Sequence, residues 1–379
     1  MINTREAQWT LRRLVCVVPL AAFVLCVNTL GDPAKVISRG AYERGVADIL
    51  LSGRHAAGVS EYNDRLMQRL YAEGLHAAPD VLVLGSSRVM PLRALDFAPR
   101  TFYNASVSSA TLNDVLALRE LFASRGGKTS LLIVGIDPWM LQANERMTAF
   151  HTLGPEFERA CRKASVPDCD SVPFLTGPRR LLGALMSPSY FQASAATLWR
   201  RFSQAAGPVE SLRATQDDDA EPQLAIRRAD GSLRYPESFG ADESQVRAGA
   251  EAFGREFGRR GMLFLPPKAR PQPRFLHLLE TLVRTSIASG TQVHLVLAPY
   301  HPDAWPALSA SDSLVVQAER AVRGLGAALQ VPVIGSYDPG LAGCPAAAEY
   351  HDPVHARESC LRRMIAQGTR PDPPPTPAR

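Results

Sequence analysis

Val81-Leu82-Val83-Leu84-Gly85-Ser86-Ser87-Arg88 is a short run of branched apolar residues that stops at a glycine and two hydroxyls. Four to eight apolar residues bounded by turn formers read as a buried strand. The pattern recurs along the chain. Thr101–Asn104 is a second strand, followed by the small polar loop 105–110, and Leu112–Ser124 is an amphipathic helix started by Thr111 or Asn113. Ser130–Ile136 is a third strand, ending at Gly135-Ile136-Asp137-Pro138-Trp139. Later come a helix at Arg274–Ile287 and a strand at Gln292–Ala298 that ends in Pro299-Tyr300-His301-Pro302. A helix at Ser313–Leu329 and a strand at Val331–Ile334 complete the series. Strands alternating with helices predict an α/β domain with a parallel sheet. In such sheets ligands bind beyond the carboxyl ends of the strands, so the loops after each strand should converge on one edge.

The chain has 379 residues and a net charge of +5, enough length for a substantial core. No basic patch studded with aromatics marks a nucleic-acid surface, and no nucleic-acid partner is expected. Arg5, Arg12 and Arg13 precede an uncharged apolar run over 14–30 of about 17 residues. Positive flanks before such a run keep the N-terminus cytoplasmic. The reading is a cytoplasmic tail at 1–13, a single-pass inner-membrane anchor at 14–30, and a C-terminal domain in the periplasm or extracytoplasmic space. A cleaved signal peptide is the rival, but Asn28-Thr29-Leu30-Gly31-Asp32-Pro33 offers no small-residue cleavage site. Phe23-Val24-Leu25 lacks the small residues that a lipid-anchored Cys26 would need. Cys161, Cys169, Cys344 and Cys360 form an even set outside the anchor, which suits disulfides in an exported protein. Three pairings are open, with 161–169 and 344–360 the simplest; the spacings do not suit a zinc ribbon, and no metal is expected. Residues 31–78 read as a helical stalk or lead-in, with helices at Ala41–Leu51 and Tyr62–Leu75. The α/β domain spans 79–368 and carries an insertion at about 145–265. Within it, Arg180–Met186 and Ala195–Phe202 look helical, and 215–245 is polar and rich in turn formers. The Pro-rich tail, 369–379, reads as disordered.

His351-Asp352-Pro353-Val354-His355 supplies the chemistry. An Asp-x-x-His turn lets a carboxylate and an imidazole reach one place. With Ser87 it makes a nucleophile, a base and an orienting acid, the set that acyl transfer needs. Each residue also has a plainer role. Ser87 or Ser86 would cap a following helix, Asp352 would form a turn before Pro353, and His355 would be an exposed loop histidine. His351 reads as a neighbour of the set. His301 either lines the pocket or supports its loop, Asp137 pairs with Arg88, and Trp139 either stacks on a sugar ring or is buried. No Gly-rich phosphate cradle, zinc-protease helix or Cys-x-x-Cys pair is present, so no cofactor is expected.

On these residues the chain resembles the SGNH (GDSL-like) hydrolase superfamily, over about residues 79–365 without the insertion. The resemblance implies a flavodoxin-like three-layer sandwich. It makes Ser87 of Gly85-Ser86-Ser87 the nucleophile, and Asp352 and His355 the rest of a triad. The Gly-Ser-Ser variant with an N-terminal anchor is similar to exported proteins of envelope polysaccharide acylation. That implies O-acyl ester hydrolysis or O-acyl transfer on an envelope or secreted polysaccharide, with a membrane acyl-donor protein as a further partner. A non-catalytic assembly or glycan-binding protein of the same fold is the alternative. Two blocks depart from the family pattern. Asn104-Ala105-Ser106 puts Ser106 where a glycine N–H donates to the oxyanion, and Gly135-Ile136-Asp137 puts Asp137 where an asparagine donates. An ionised Asp accepts only, so Asn104 or Arg88 would have to substitute.

Overall fold

A computed structural model describes residues 18–19, 21–31 and 40–368, except 61, 144–146, 148, 165–190, 193, 196–197, 200–211 and 264–265. Its centre is a five-stranded sheet of β1 (Val81–Leu84), β2 (Phe102–Asn104), β3 (Leu131–Gly135), β4 (Gln292–Leu297) and β5 (Val333–Gly335). The order is β2-β1-β3-β4-β5 and every pairing is parallel. Registers such as Leu82 opposite Leu132 and Val134 opposite Leu295 put like residues side by side.

Alternation along the strands feeds two cores. Leu82, Leu84, Leu132, Val134, Leu295 and Leu297 face one side, and Val81, Val83, Leu131, Ile133 and Val296 face the other. Both sides are buried, which is why these strands read as unbroken apolar runs rather than as alternating ones. The first side is covered by α3 (Leu112–Ala123), α4 (Gly154–Ala164), α6 (Pro273–Ala288) and α7 (Leu314–Leu329). The second is covered by α8 (Glu358–Gly368) and by irregular chain carrying Val89, Leu92, Phe97 and Tyr350. Thr111 and Asp114 close a reciprocal cap at the start of α3.

The lead-in does not stand apart as a stalk. Val46, Ala47 and Leu50 of α1 (Ala41–Leu51) and Met67, Tyr71 and Ala72 of α2 (Asp64–Glu73) belong to the main core. Tyr71 stacks on Tyr103 of β2 at 4.0 Å, and Arg65 bonds Asp114 through two nitrogens at 2.7 and 3.0 Å. The stretch 215–245, expected to be irregular, contributes to a small antiparallel sheet. Its strands run Arg213–Thr215, His55–Ala57, Ile226–Arg227 and Leu233–Arg234 in spatial order. This sheet shields the β2 edge, where Asn104 N–H donates to Asp230 O at 2.8 Å.

The 18-residue helix α5 (Glu243–Arg260) lies within the insertion. The helix read at Arg180–Met186 falls outside the described residues; of Ala195–Phe202, residues 195 and 198–199 are helical. Residues 18–19 and 21–31 are helical, and among the described residues no helix is long and apolar enough to cross a membrane. Residues 1–17 and the 369–379 tail lie outside the described residues. Cys344 and Cys360 form a disulfide with a Cα–Cα distance of 5.7 Å. Cys161 is also disulfide-bonded, and Cys169, its expected partner, lies outside the described residues.

Candidate active site

The site is built where β1 and β3 end. Gly85 and Gly135 let the two strand ends approach closely. A Cβ on Gly85 would lie 2.7 Å from Val89 Cγ2 and 3.1 Å from Gly135 O, and one on Gly135 would lie 2.7 Å from the same methyl. Past this constriction the chain turns. Ser86 Oγ accepts from Arg88 N–H at 3.2 Å, so Ser86 takes the capping role, in a turn rather than a helix. Ser87 is left presenting its hydroxyl. This is the point where the strand order reverses, the usual ligand crevice of such a sheet.

The structure brings Ser87, His355 and Asp352 together. Ser87 Oγ lies 2.8 Å from His355 Nε2, and His355 Nδ1 lies 2.7 Å from Asp352 Oδ2. Asp352 uses its two oxygens separately. Oδ1 accepts the backbone N–H groups of Val354 and His355, both at 2.8 Å, and so closes the turn. Oδ2 then meets the ring that the turn has swung toward it. Burial pushes the Asp352 carboxyl up, but bonds from His355 and from the two backbone donors outweigh it and hold the group below its ordinary value. An ionised, acceptor-only Asp352 places the imidazole proton on Nδ1 and leaves Nε2 to accept from Ser87.

The turn is held from several directions. His351 N–H donates to His355 O at 2.9 Å, and His301 N–H to Pro353 O at 3.0 Å. Tyr350 and Ala356 form an isolated bridge, and the 344–360 disulfide closes the segment. Arg88 reaches it from β1. The guanidinium donates from Nε to Val354 O at 3.0 Å, from Nη1 to Asp137 Oδ1 at 2.8 Å, and from Nη2 to Ala298 O. It also lies 3.9 Å over the Tyr300 ring. Arg88 therefore joins the turns after β1, β3 and β4 to the His355 loop. Asp137 is not an open carboxylate facing the nucleophile but the buried counter-charge of Arg88.

The donors expected from the second block are directed elsewhere. Asn104 Nδ2 donates to the carbonyls of Val89, Met90 and Leu92 at 2.9, 3.1 and 3.2 Å, holding the turn that follows the nucleophile. Ser106 N–H donates to Asn104 Oδ1 at 3.1 Å. The loop is fixed from behind by Arg227, which is fully buried and donates to Asn104 O and Ser106 O at 3.3 and 3.1 Å. Two other groups do remain at the site. Ser87 N–H makes no backbone hydrogen bond among the described residues. Ser109, with φ at 48°, lines a cavity that Ser87 and His355 also border.

His301 is buried away from that cavity. Its Nδ1 accepts from Asp303 N–H at 3.1 Å, its ring lies against Tyr350, and burial lowers its pKa. His351 is a neighbour, with Nδ1 on Phe239 O at 2.9 Å and its ring stacked on Phe239. Trp139 is buried, its indole N–H donating to Ala110 O at 2.9 Å.

The sequence reading named no residue of the insertion as part of the site. Tyr235 lies 5.6 Å from the His355 ring, and its hydroxyl donates to Ser87 O at 3.4 Å. Phe239 lies 6.3 Å from His355. Phe253, Phe257 and Met262 wall a cavity of about 250 Å³ that also touches Ser87, Arg88, Ser109, Trp139, Val354 and His355. The only signal was a set of aromatics spaced along a polar stretch. A scan against protein-family models, a search of curated proteins and a search of solved structures each return no match to this chain.

Proposed function

We propose that this protein is a serine esterase or O-acyltransferase of the SGNH type, with the flavodoxin-like arrangement that the 2-1-3-4-5 strand order suits. The observation that carries the reading is the hydrogen-bonded chain Ser87–His355–Asp352 at the carboxyl edge of the parallel sheet. Ser87 Oγ attacks an ester carbonyl while His355 Nε2 takes its proton. Asp352 stabilises the imidazolium, which then protonates the leaving oxygen. Ser87 N–H, at the cavity that Ser109 also lines, receives the oxyanion in place of the donors that Asn104, Ser106 and Asp137 do not offer. Water or a sugar hydroxyl, deprotonated by His355, releases the acyl group. The polysaccharide substrate, the membrane anchor, the extracytoplasmic location and a membrane acyl-donor partner belong to the same proposal and rest on the sequence resemblance and on the Arg-flanked run at 14–30.

A second reading, a non-catalytic assembly or glycan-binding protein, is favoured by one observation: the groups at the two usual oxyanion positions, Ser106 N–H and Asp137, and the candidate substitute Asn104 are all bonded elsewhere. Turnover of p-nitrophenyl acetate separates the two. The enzyme reading expects hydrolysis that Ser87→Ala and His355→Ala each reduce by about 10³-fold or more. Background rates for the wild type would favour the binding protein.

A further inference from the structure

The cavity beside Ser87 differs in chemistry from a sugar site. Its walls are Trp139, Phe253, Phe257, Met262, Leu263 and Val354. The polar atom of Trp139 is already committed to Ala110 O, so the ring offers only its apolar surface. Met262 is held by the Tyr300 hydroxyl at 3.5 Å. The polar residues that line the cavity are Ser87, Arg88, Ser109, His355 and Glu256, and the Arg88 guanidinium is already committed to Asp137, Val354 O and Ala298 O. Glu256 is partly exposed and pairs with Arg259 and Arg260 at the surface.

Local structure explains the shape. On α5, Phe253 and Phe257 recur one helical turn apart on the inward face below Val246 and Ala250. Gly261, at φ 78°, ends the helix and turns the chain back so that Met262 and Leu263 follow. Leu263 itself sits at φ 47° with 37% of its surface exposed.

The geometry points to an acyl-chain subsite: the cavity holds the alkyl part of an acyl group longer than acetyl while its carbonyl carbon lies at Ser87. This deepens the esterase reading and rests on it. At about 250 Å³ the cavity has room for roughly eight water-sized groups of about 30 Å³ each, on the order of four to eight carbons. The bond changes are those of acyl transfer. Ser87 Oγ bonds the carbonyl carbon, the ester C–O bond breaks, and the Oγ proton passes through His355 Nε2 to the leaving alcohol. The acceptor hydroxyl then reverses the path, its proton returning through His355 to Ser87.

The test is a series of p-nitrophenyl esters from acetate to octanoate, assayed on the full-length protein and on its Ser87→Ala and Leu263→Trp variants. The inference expects kcat/KM to rise about fourfold per added methylene until the cavity is filled, then to level or fall. Leu263→Trp should reduce the ratio of hexanoate to acetate kcat/KM at least tenfold. Ser87-dependent turnover that is greatest for acetate, or a ratio unmoved by Leu263→Trp, overturns the subsite and leaves the esterase standing. No Ser87-dependent turnover of any ester overturns both.

Discussion

One oxygen of Asp352 closes a turn and the other orients an imidazole, so Asp352→Asn should injure function more than fold. The amide still accepts from the two backbone donors but no longer fixes the proton on Nδ1. We expect ester turnover to fall by about 10³–10⁴-fold with little change in Tm; equal turnover in the two proteins would remove Asp352 from the mechanism. Asp137 should behave in the opposite sense. Asp137→Asn leaves the buried Arg88 guanidinium without its counter-charge, an expected loss of about 3–5 kcal/mol in a denaturant titration and no gain in rate. A faster, equally stable variant would mean that the acid faces the oxyanion after all. His301 gives a pH prediction. Burial lowers its pKa from the ordinary 6.5, so below that value the unfolded chain binds the proton first and the native state loses stability as pH falls toward the folded pKa. His301→Asn, whose side-chain oxygen can still accept from Asp303, should flatten the fall in Tm between about pH 7 and pH 5; parallel curves would contradict this. At this scale the sequence was readable where chemistry is local. Asp352 and His355 share a turn, but nothing near Asn104 tells that its amide is used up on the carbonyls of 89, 90 and 92.

Among the elements, the disulfide-closed segment from Cys344 to Cys360 carries Asp352 and His355 and should act as one unit. A loop of about 15 residues is worth about 3 kcal/mol in the chain-entropy model. The Cys344→Ser/Cys360→Ser double variant should lose about that much stability, and turnover should fall because the His355 loop loosens; unchanged stability under reductant would refute it. Mostly apolar strands and amphipathic helices were legible, since Val81–Leu84, Ala41–Leu51 and Gln292–Leu297 emerge within a residue of where their patterns put them. Helix α5 was not. Gly249, Gly254 and Gly258 weaken its propensity, and its contacts with the 300–308 and 347–353 segments are distant in the sequence. The two- and three-residue strands at 213–215, 226–227 and 233–234 are too short to show a period, and His55–Ala57, which pairs with the first two, lies far away in the chain.

Across the whole molecule, the sheet supplies position and the insertion supplies surroundings. Loops after β1, β3 and β4 meet at Arg88, whereas Tyr235, Phe239 and α5 border the nucleophile and its cavity. The lead-in helices complete the core, so a reporter fused after residue 40 tests topology without testing the fold. Activity of that fusion only outside the cytoplasm is the expected result, and cytoplasmic activity would remove the anchored, exported reading. The central claim is that Ser87 is an activated nucleophile. Its most direct measurement is labelling of the full-length protein by a fluorophosphonate, with the modified residue located by peptide mass mapping. The account predicts one adduct, on Ser87, abolished in Ser87→Ala and strongly slowed in His355→Ala. No adduct on the folded wild type, or labelling that survives Ser87→Ala, would contradict it.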